Sequence, residues 1–515
     1  MIDLLIVVAY FILILFLALS GRVKGELTVD EFYLSNRKLK WPSIALSTIA
    51  TNIQGYQFLG MMGSAYLFGI AQANLEINAM QGILLAAFVF VPFYLRDKII
   101  TITQFIEKRL GKMIALFYSL SNIVMFATIT LGAALFWGAY AADLVFSDYM
   151  KFIHEDRIVR ISIIIIGLGV FSAAYTYLGG LAAVVKTDVI QFFILFIGGI
   201  VVLFISVHHL GGWSQLYIKT PQHMHLHLPI NHPKLPWTHM VGLFFLNINY
   251  WCANQSVMQR SLAAKNLKHA QAGLMVGGLM KYVMAIIIVV PGVALYGILG
   301  EQGLSDPDMA FPHIVSNYLP VGVKGIILCA LFASLMSTVD STFNSLATLW
   351  SIDIYANYIN KNANDAQVVG AGKKAILFAL FTGILMGLVF LYIKFNDPGS
   401  AFTHTLNELR YFINCGIVVL IISAATVLLP NEKRVLGIFL CTIPMNICIK
   451  IGFPEINYFV RAAIVIIISL IFVYLLHLKN KKIGIKELFV ASDIKSKRNG
   501  IILAISLILL HILFH

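Results

Sequence analysis

The stretch Ala50-Thr51-Asn52-Ile53-Gln54-Gly55-Tyr56-Gln57 lies inside an apolar run at residues 42–68 and is followed by Gly60 and Gly63. It interrupts that run with polar side chains. A continuous lipid-facing helix does not tolerate such a cluster, because hydrocarbon offers no partner to polar groups. The pattern predicts a helix broken at mid-membrane, whose freed carbonyls line a cavity or hold an ion. The alternative is a Gly-rich helix packed closely on its neighbours.

The rest of the chain is equally apolar. Of 515 residues, 59% are hydrophobic and 12% charged, against about 25% charged in soluble domains, and the mean hydropathy is +0.85. No polar segment is long enough to fold separately, which excludes a soluble enzyme on one anchor. Stretches of about 20 apolar residues number about fourteen, so an even count places both ends on one side. The first, Leu4–Leu19, lacks a basic leader and reads as an uncleaved span. Most of the 37 basic residues fall in alternate loops, such as 21–40, 96–112, 260–268 and 479–498, while Glu301–Pro320 carries acids. The positive-inside rule makes the basic loops cytoplasmic and places both termini outside. The net charge of +13 is thus a topology signal and not a nucleic-acid footprint. Cys252, Cys329, Cys415, Cys441 and Cys448 show no ligand spacing and read as reduced packing residues.

Intramembrane polar residues are candidate sites, since each is costly in lipid. Glu76, with Asn74 and Asn78, opens the third span. Lys281 lies within 272–299, and Asn247, Asn249, Tyr250 and Trp251 lie in the seventh. Taken singly, the carboxylate reads as interfacial and the lysine as snorkelling. Together, amides, one carboxylate, one ammonium and aromatic faces suit a polyhydroxylated ligand, whose hydroxyls both donate and accept. In the ninth span Ser334, Ser337, Thr338 and Ser341 recur along one helix face. Such a stripe either packs helices or offers oxygens to a hard cation. Asp340 beside it, and Asp188 near the inner side, favour the cation. Setting aside the first span and the last three leaves ten, in repeats 42–208 and 238–429 that must run inverted. Residues 1–41 then form the first span and its loop, and 430–515 three further spans.

At Tyr250–Lys265 (YWCANQSVMQRSLAAK), Gly179–Gln191 (GGLAAVVKTDVIQ), Leu319–Gly325 (LPVGVKG) and Asp353-Ile354-Tyr355 the chain resembles the sodium:solute symporter family, in its sodium/sugar cotransporter branch. The similarity is strong from Asp30 to about Tyr355 and weaker beyond. It implies an all-α, leucine-transporter-type fold of five plus five inverted helices with flanking spans. It further implies a Na+ site of the Ala50, Ile53 and Ser334 carbonyls with the Ser337 and Thr338 hydroxyls. A second cation site, as in some members, maps to Asp188, Ser337, Asp340 and Ser341, although Asp340 departs from the usual hydroxyl. Sugar contacts map to Gln57, Glu76, Asn247 and Lys281, with Tyr250 as inner gate and Met61 near the outer gate. A usual serine is Ala79 here, and a usual glutamine falls on Asn407, which keeps an amide, or on Leu406. Such changes alter the hydroxyl pattern accepted.

The resulting expectation is Na+-coupled import of a small neutral sugar or polyol across a plasma membrane, the inner membrane in a bacterium, with no other cofactor. A symporter of a carboxylate, amino acid or vitamin is the nearest rival. A sensor would need an output domain longer than Lys479–Arg498, and no nucleophile–base pair or phosphate loop suggests an enzyme. His223, His225, His227 and His232, in an outer loop, read as solvated polar residues and not as a metal site.

Overall fold

The structure, a computed structural model, describes residues 2–20, 27–54, 57–232, 234–301, 303–304, 306–396, 402–481 and 492–515, with backbone alone at 148, 149 and 402–405. Gly55 and Tyr56 of the interrupted run, and parts of the basic loops 21–40 and 479–498, lie outside the described residues. The described chain is helical, with only two isolated β-bridges. Eleven of its helices are long and apolar enough to cross a membrane. In chain order, the helices carrying the polar clusters and their supports are α1 (Ile2–Leu19), α2 (Trp41–Asn52), α3 (Met62–Phe68), α4 (Asn74–Ile77), α5 (Arg157–Leu210), α6 (His239–Ile248), α7 (Gln255–Leu262), α8 (Leu267–Leu299), α9 (Val323–Thr348), α10 (Phe402–Thr426) and α11 (Ile494–Leu513).

Eleven counts uninterrupted helical runs and so does not by itself set the number of crossings against the fourteen apolar stretches. Some expected spans are broken into pieces too short to qualify, and two others run together. The expected spans 158–177 and 186–208 are one 54-residue helix, α5, which would measure about 81 Å if straight. It is not straight. Gly180 has φ +56° and ψ −153°, and Tyr175 before it and Asp188 after it both reach one turn of α9, at Asp340 and Ser337. Phe11 of α1 likewise stands between Phe171 and Phe332, while Gly198 faces Ala330. The two arms therefore fold back beside each other. A Cβ at Gly180 would meet the Phe32 carbonyl in addition to the strain of a positive φ. Gly180→Ala is expected to destabilise the protein by about 1–3 kcal/mol, read as a lowered thermal transition in detergent; an unshifted transition would contradict this role.

The helix break expected at 50–57 is present. α2 ends where Ile53 turns extended (φ −81°, ψ 108°), and helix resumes through a π turn at Gln57–Met61. A second break has the same form: α6 runs into a π turn at Asn249–Ala253, then Asn254 is extended (φ −79°, ψ 116°) and caps α7. Breaks inside hydrocarbon require partners for the freed carbonyls. At the first, Ser334 Oγ donates to Ile53 O (2.7 Å) and Thr338 Oγ1 to Thr51 O (3.2 Å). At the second, Tyr94 OH donates to Cys252 O (2.8 Å) and Tyr118 OH to Ala253 O (2.6 Å).

Loop contacts sort the chain into two faces. On one, Asp3 Oδ1 accepts from Gly322 N (2.9 Å), Tyr318 stacks on His209 (4.3 Å between centroids) and His225 Nδ1 lies 3.0 Å from His515 O. On the other, Lys186 Nζ donates to Ser20 O (2.7 Å), Arg37 to Lys98 O (2.9 Å) and Met113 N to Glu432 (2.6 Å). The described parts of the basic loops share the second face, and Asp3 and His515 lie on the first. The five cysteines are free, with Cys252, Cys329 and Cys415 buried.

Candidate functional site

Where α2 breaks, its last polar residues meet α4 and α8. Gln57 Nε2 donates to Glu76 Oε1 (2.7 Å), and Gln54 N donates to Gln57 Oε1 (2.9 Å), so the re-entrant turn is tied to the carboxylate. Lys281 Nζ, from mid-α8, donates to Glu76 Oε2 and to Asn52 Oδ1. Both charges are almost wholly buried, Glu76 at 3% and Lys281 at 2% exposed. This is an ion pair and not a snorkelling lysine beside an interfacial acid. Tyr250 is half-buried in the second break, its ring edge-on to that of Trp251 (5.3 Å between centroids). Asn247 Nδ2 donates to Asn78 O (3.0 Å), two residues beyond Glu76. Met61 is buried at the end of the π turn that carries Gln57. Asn407, half-buried on α10, is not reached by the hydrogen bonds of the Glu76 cluster; its neighbour Glu408 pairs instead with Lys450 (2.9 Å) and Arg461.

The hydroxyl stripe of α9 faces the broken end of α2. Ser334 and Thr338 hold carbonyls of Ile53 and Thr51 as described, and Ala50 is buried beside them. Ser337 Oγ lies 3.4 Å from Thr51 Oγ1 and donates to Asp188 Oδ1. Asp188 is fully buried and forms an ion pair with Arg260 of α7 (3.1 Å), itself fully buried. Arg260 also donates to Ser47 (3.0 Å), Thr51 (2.9 Å) and Ser341. Four helices, α2, α5, α7 and α9, thus meet at one guanidinium. Asp340 is not part of that group: Tyr175 OH donates to its Oδ2, and its buried Oδ1 has no hydrogen-bond partner. The four residues expected to form a second cation site are therefore divided. The reason is helical geometry, since Ser337 and Ser341 share a face while Asp340 is rotated from both toward the outer arm of α5.

The fold brings together Gln57, Glu76 and Lys281 as one hydrogen-bonded cluster, and Ile53, Ser334, Ser337, Thr338, Asp188 and Ser341 as another. Arg260 corrects the sequence reading. It was counted among the cytoplasmic loop charges, yet it is an interior counterion. The signal was available, because an intramembrane acid such as Asp188 needs a partner and Arg260 follows the apolar, amide-rich turn of the longest quoted motif. Ser47 and Tyr175 carry no pattern that singles them out, and Thr51 and Asn52 stand in the interrupted stretch with no partner assigned to them.

The sodium:solute symporter family model matches residues 32–400. The chain belongs to that family. The "Sodium/glucose cotransporter" of Vibrio parahaemolyticus is 31% identical to this symporter family member over 430 residues, covering 76% of this chain and 77% of that protein. "Sodium/myo-inositol cotransporter 2" of Oryctolagus cuniculus is 27% identical over 438 residues, and the match covers 76% of this chain but 63% of that longer protein. A solved Na+-coupled sialic acid symporter superposes with a TM-score of 0.81 over 94% of this chain and 99% of that one, at 20% identity, which establishes the shared leucine-transporter-like fold. The protein is an integral membrane, sodium-coupled symporter by family, and its relatives are transporters and not enzymes.

Proposed function

We propose that the protein imports a small neutral polyhydroxylated solute, a hexose or related sugar or polyol, with Na+ by alternating access. The observation that carries this is the pairing of Glu76 with Lys281 inside one network with Gln57 and Asn52. A site whose charges cancel, while its amides donate and accept and its carboxylate accepts, matches hydroxyl groups and no net charge. A carboxylate solute is disfavoured, because Lys281 already has its counterion. Sugar and inositol cotransporters among the relatives support the same class.

Na+ is bound in this reading by carbonyls of Ala50, Ile53 and Ser334 and hydroxyls of Ser337 and Thr338, which suit a hard cation. The solute meets Gln57, Glu76, Asn247, Lys281 and Tyr250, with Asn407 closing from α10, Met61 at the outer gate and Tyr250 at the inner. A second cation site of Asp188, Asp340 and Ser341 is not carried forward, because Arg260 already serves Asp188 and Ser341 while Asp340 turns to Tyr175. Repeats 42–208 and 238–429 rock about these sites, between the first span and the last three. Both termini face outward and the basic loops the cytoplasm, with the bacterial inner membrane as location in a prokaryote. A potential of 100 mV contributes about 2.3 kcal/mol per Na+.

The test is uptake of a sugar and polyol panel into proteoliposomes, with and without an inward Na+ gradient. Gradient-dependent uptake of at least one polyol is expected; uptake that ignores Na+, or none of any polyol, would overturn the reading. Ser337→Ala and Thr338→Ala should each raise the Na+ concentration needed for half-maximal uptake about tenfold, equivalent to ~1.4 kcal/mol.

A further inference from the structure

The histidines of the outer loop part company in the fold. His223 lies against Tyr296 (3.9 Å between centroids) and His232 against Phe68 (5.3 Å). His227 meets the end of α11: its Nε2 is 3.0 Å from His511 Nδ1, and the two rings stack at 5.1 Å. The ring of His515 lies 5.1 Å from that of His227.

The surrounding network fixes the protons. Asn78 Oδ1 accepts from Gln81 Nε2 (3.0 Å) and is an oxygen, so His511 Nε2, 3.2 Å away, must donate to it. His511 Nδ1 is therefore a bare lone pair, and His227 Nε2–H donates to it. His227 Nδ1 is left buried with no hydrogen-bond partner among the described residues. Neutral imidazole is the form that ligates metal.

We propose that His227 Nε2 and His511 Nδ1 form a site for a divalent ion of the zinc class, completed by His515 and water. Zinc binds imidazole nitrogen at about 2.0–2.1 Å with tetrahedral angles, which sets two ligand nitrogens about 3.3 Å apart; the pair already stands at 3.0 Å. On binding, the proton of His227 Nε2 moves to Nδ1, and His511 keeps its proton on Nε2, donated to Asn78 Oδ1, so neither ring changes charge. No three ligating side chains are gathered in advance among the described residues, and the metal draws His515 in. His225 and His515 are exposed, so the ion enters from water. Because Asn78 O holds Asn247, the metal fastens the last helix and the outer loop to the backbone of the Glu76 segment.

The full chain in detergent, with no transport step, provides the test. Zn2+ titrated calorimetrically should bind once per chain, and Co2+ should develop the visible absorption of a tetrahedral nitrogen site. His227→Ala and His511→Gln should each weaken Zn2+ about tenfold, with His227→Gln replacing the alanine variant if its metal-free thermal transition falls. His208→Ala, on an exposed ring of the same face, should leave binding intact. Absence of saturable Zn2+ binding in the wild type, or equal loss in His208→Ala, would overturn the site. Neither result bears on solute or Na+ transport, which is read separately.

Discussion

Arg260→Met is expected to lower stability by about 3–5 kcal/mol, because it strands Asp188 as a buried charge without a counterion. Arg260 and Asp188 are both fully buried, so water cannot replace the lost partner. The guanidinium also supplies donors to Ser47, Thr51 and Ser341. Arg260→Lys keeps the charge yet loses the planar fork that reaches several helices at once, and an intermediate loss is expected. Adding Asp188→Asn to Arg260→Met removes the stranded charge and should recover a large part of the stability. The measurement is a set of thermal transitions in detergent for the two single variants and the double. A wild-type transition in Arg260→Met, or no recovery in the double variant, would show that the pair does not hold these helices together.

Glu76→Gln is expected to reduce Na+-driven uptake of the accepted solute about a hundredfold in kcat/KM, equivalent to ~2.7 kcal/mol. Two losses combine. The carboxylate no longer offers charge-assisted acceptance to a hydroxyl, worth about 1.5–3 kcal/mol, and Lys281 becomes an unpaired buried ammonium. Lys281→Met should impair uptake comparably from the other side. The double variant Glu76→Gln/Lys281→Met should fall short of the product of the two, because partners in one network are not additive. Stabilisation by Na+ in a thermal shift should survive in Glu76→Gln, since the α9 hydroxyls are untouched. Uptake within a few-fold of wild type would remove Glu76 from the solute site.

The broken helix at Ile53 was legible because its cause is local: polar side chains in an apolar run have no alternative partner in lipid. The same reasoning singled out Glu76, Lys281, Asp188 and Asp340, all buried in the fold. It failed for Arg260, because a single base near the end of an apolar run looks like a loop charge until its partner is known. It also treated the histidine loop as solvated, since His511 and His515 lie far along the chain. The apolar stretches 158–177 and 186–208 correspond to the two arms on either side of the reversal at Gly180.

The sequence by itself determined that the chain is a helical membrane protein, where its helices are interrupted and which residues lie in costly positions, because the penalty for a polar group in hydrocarbon acts residue by residue. Only the tertiary structure decided the pairings. Asp188 and Arg260 are 72 residues apart, Tyr175 and Asp340 165, and His227 and His511 284. Such contacts depend on helix rotation and on the reversal at Gly180, and neither helical periodicity nor charge count along the chain encodes them.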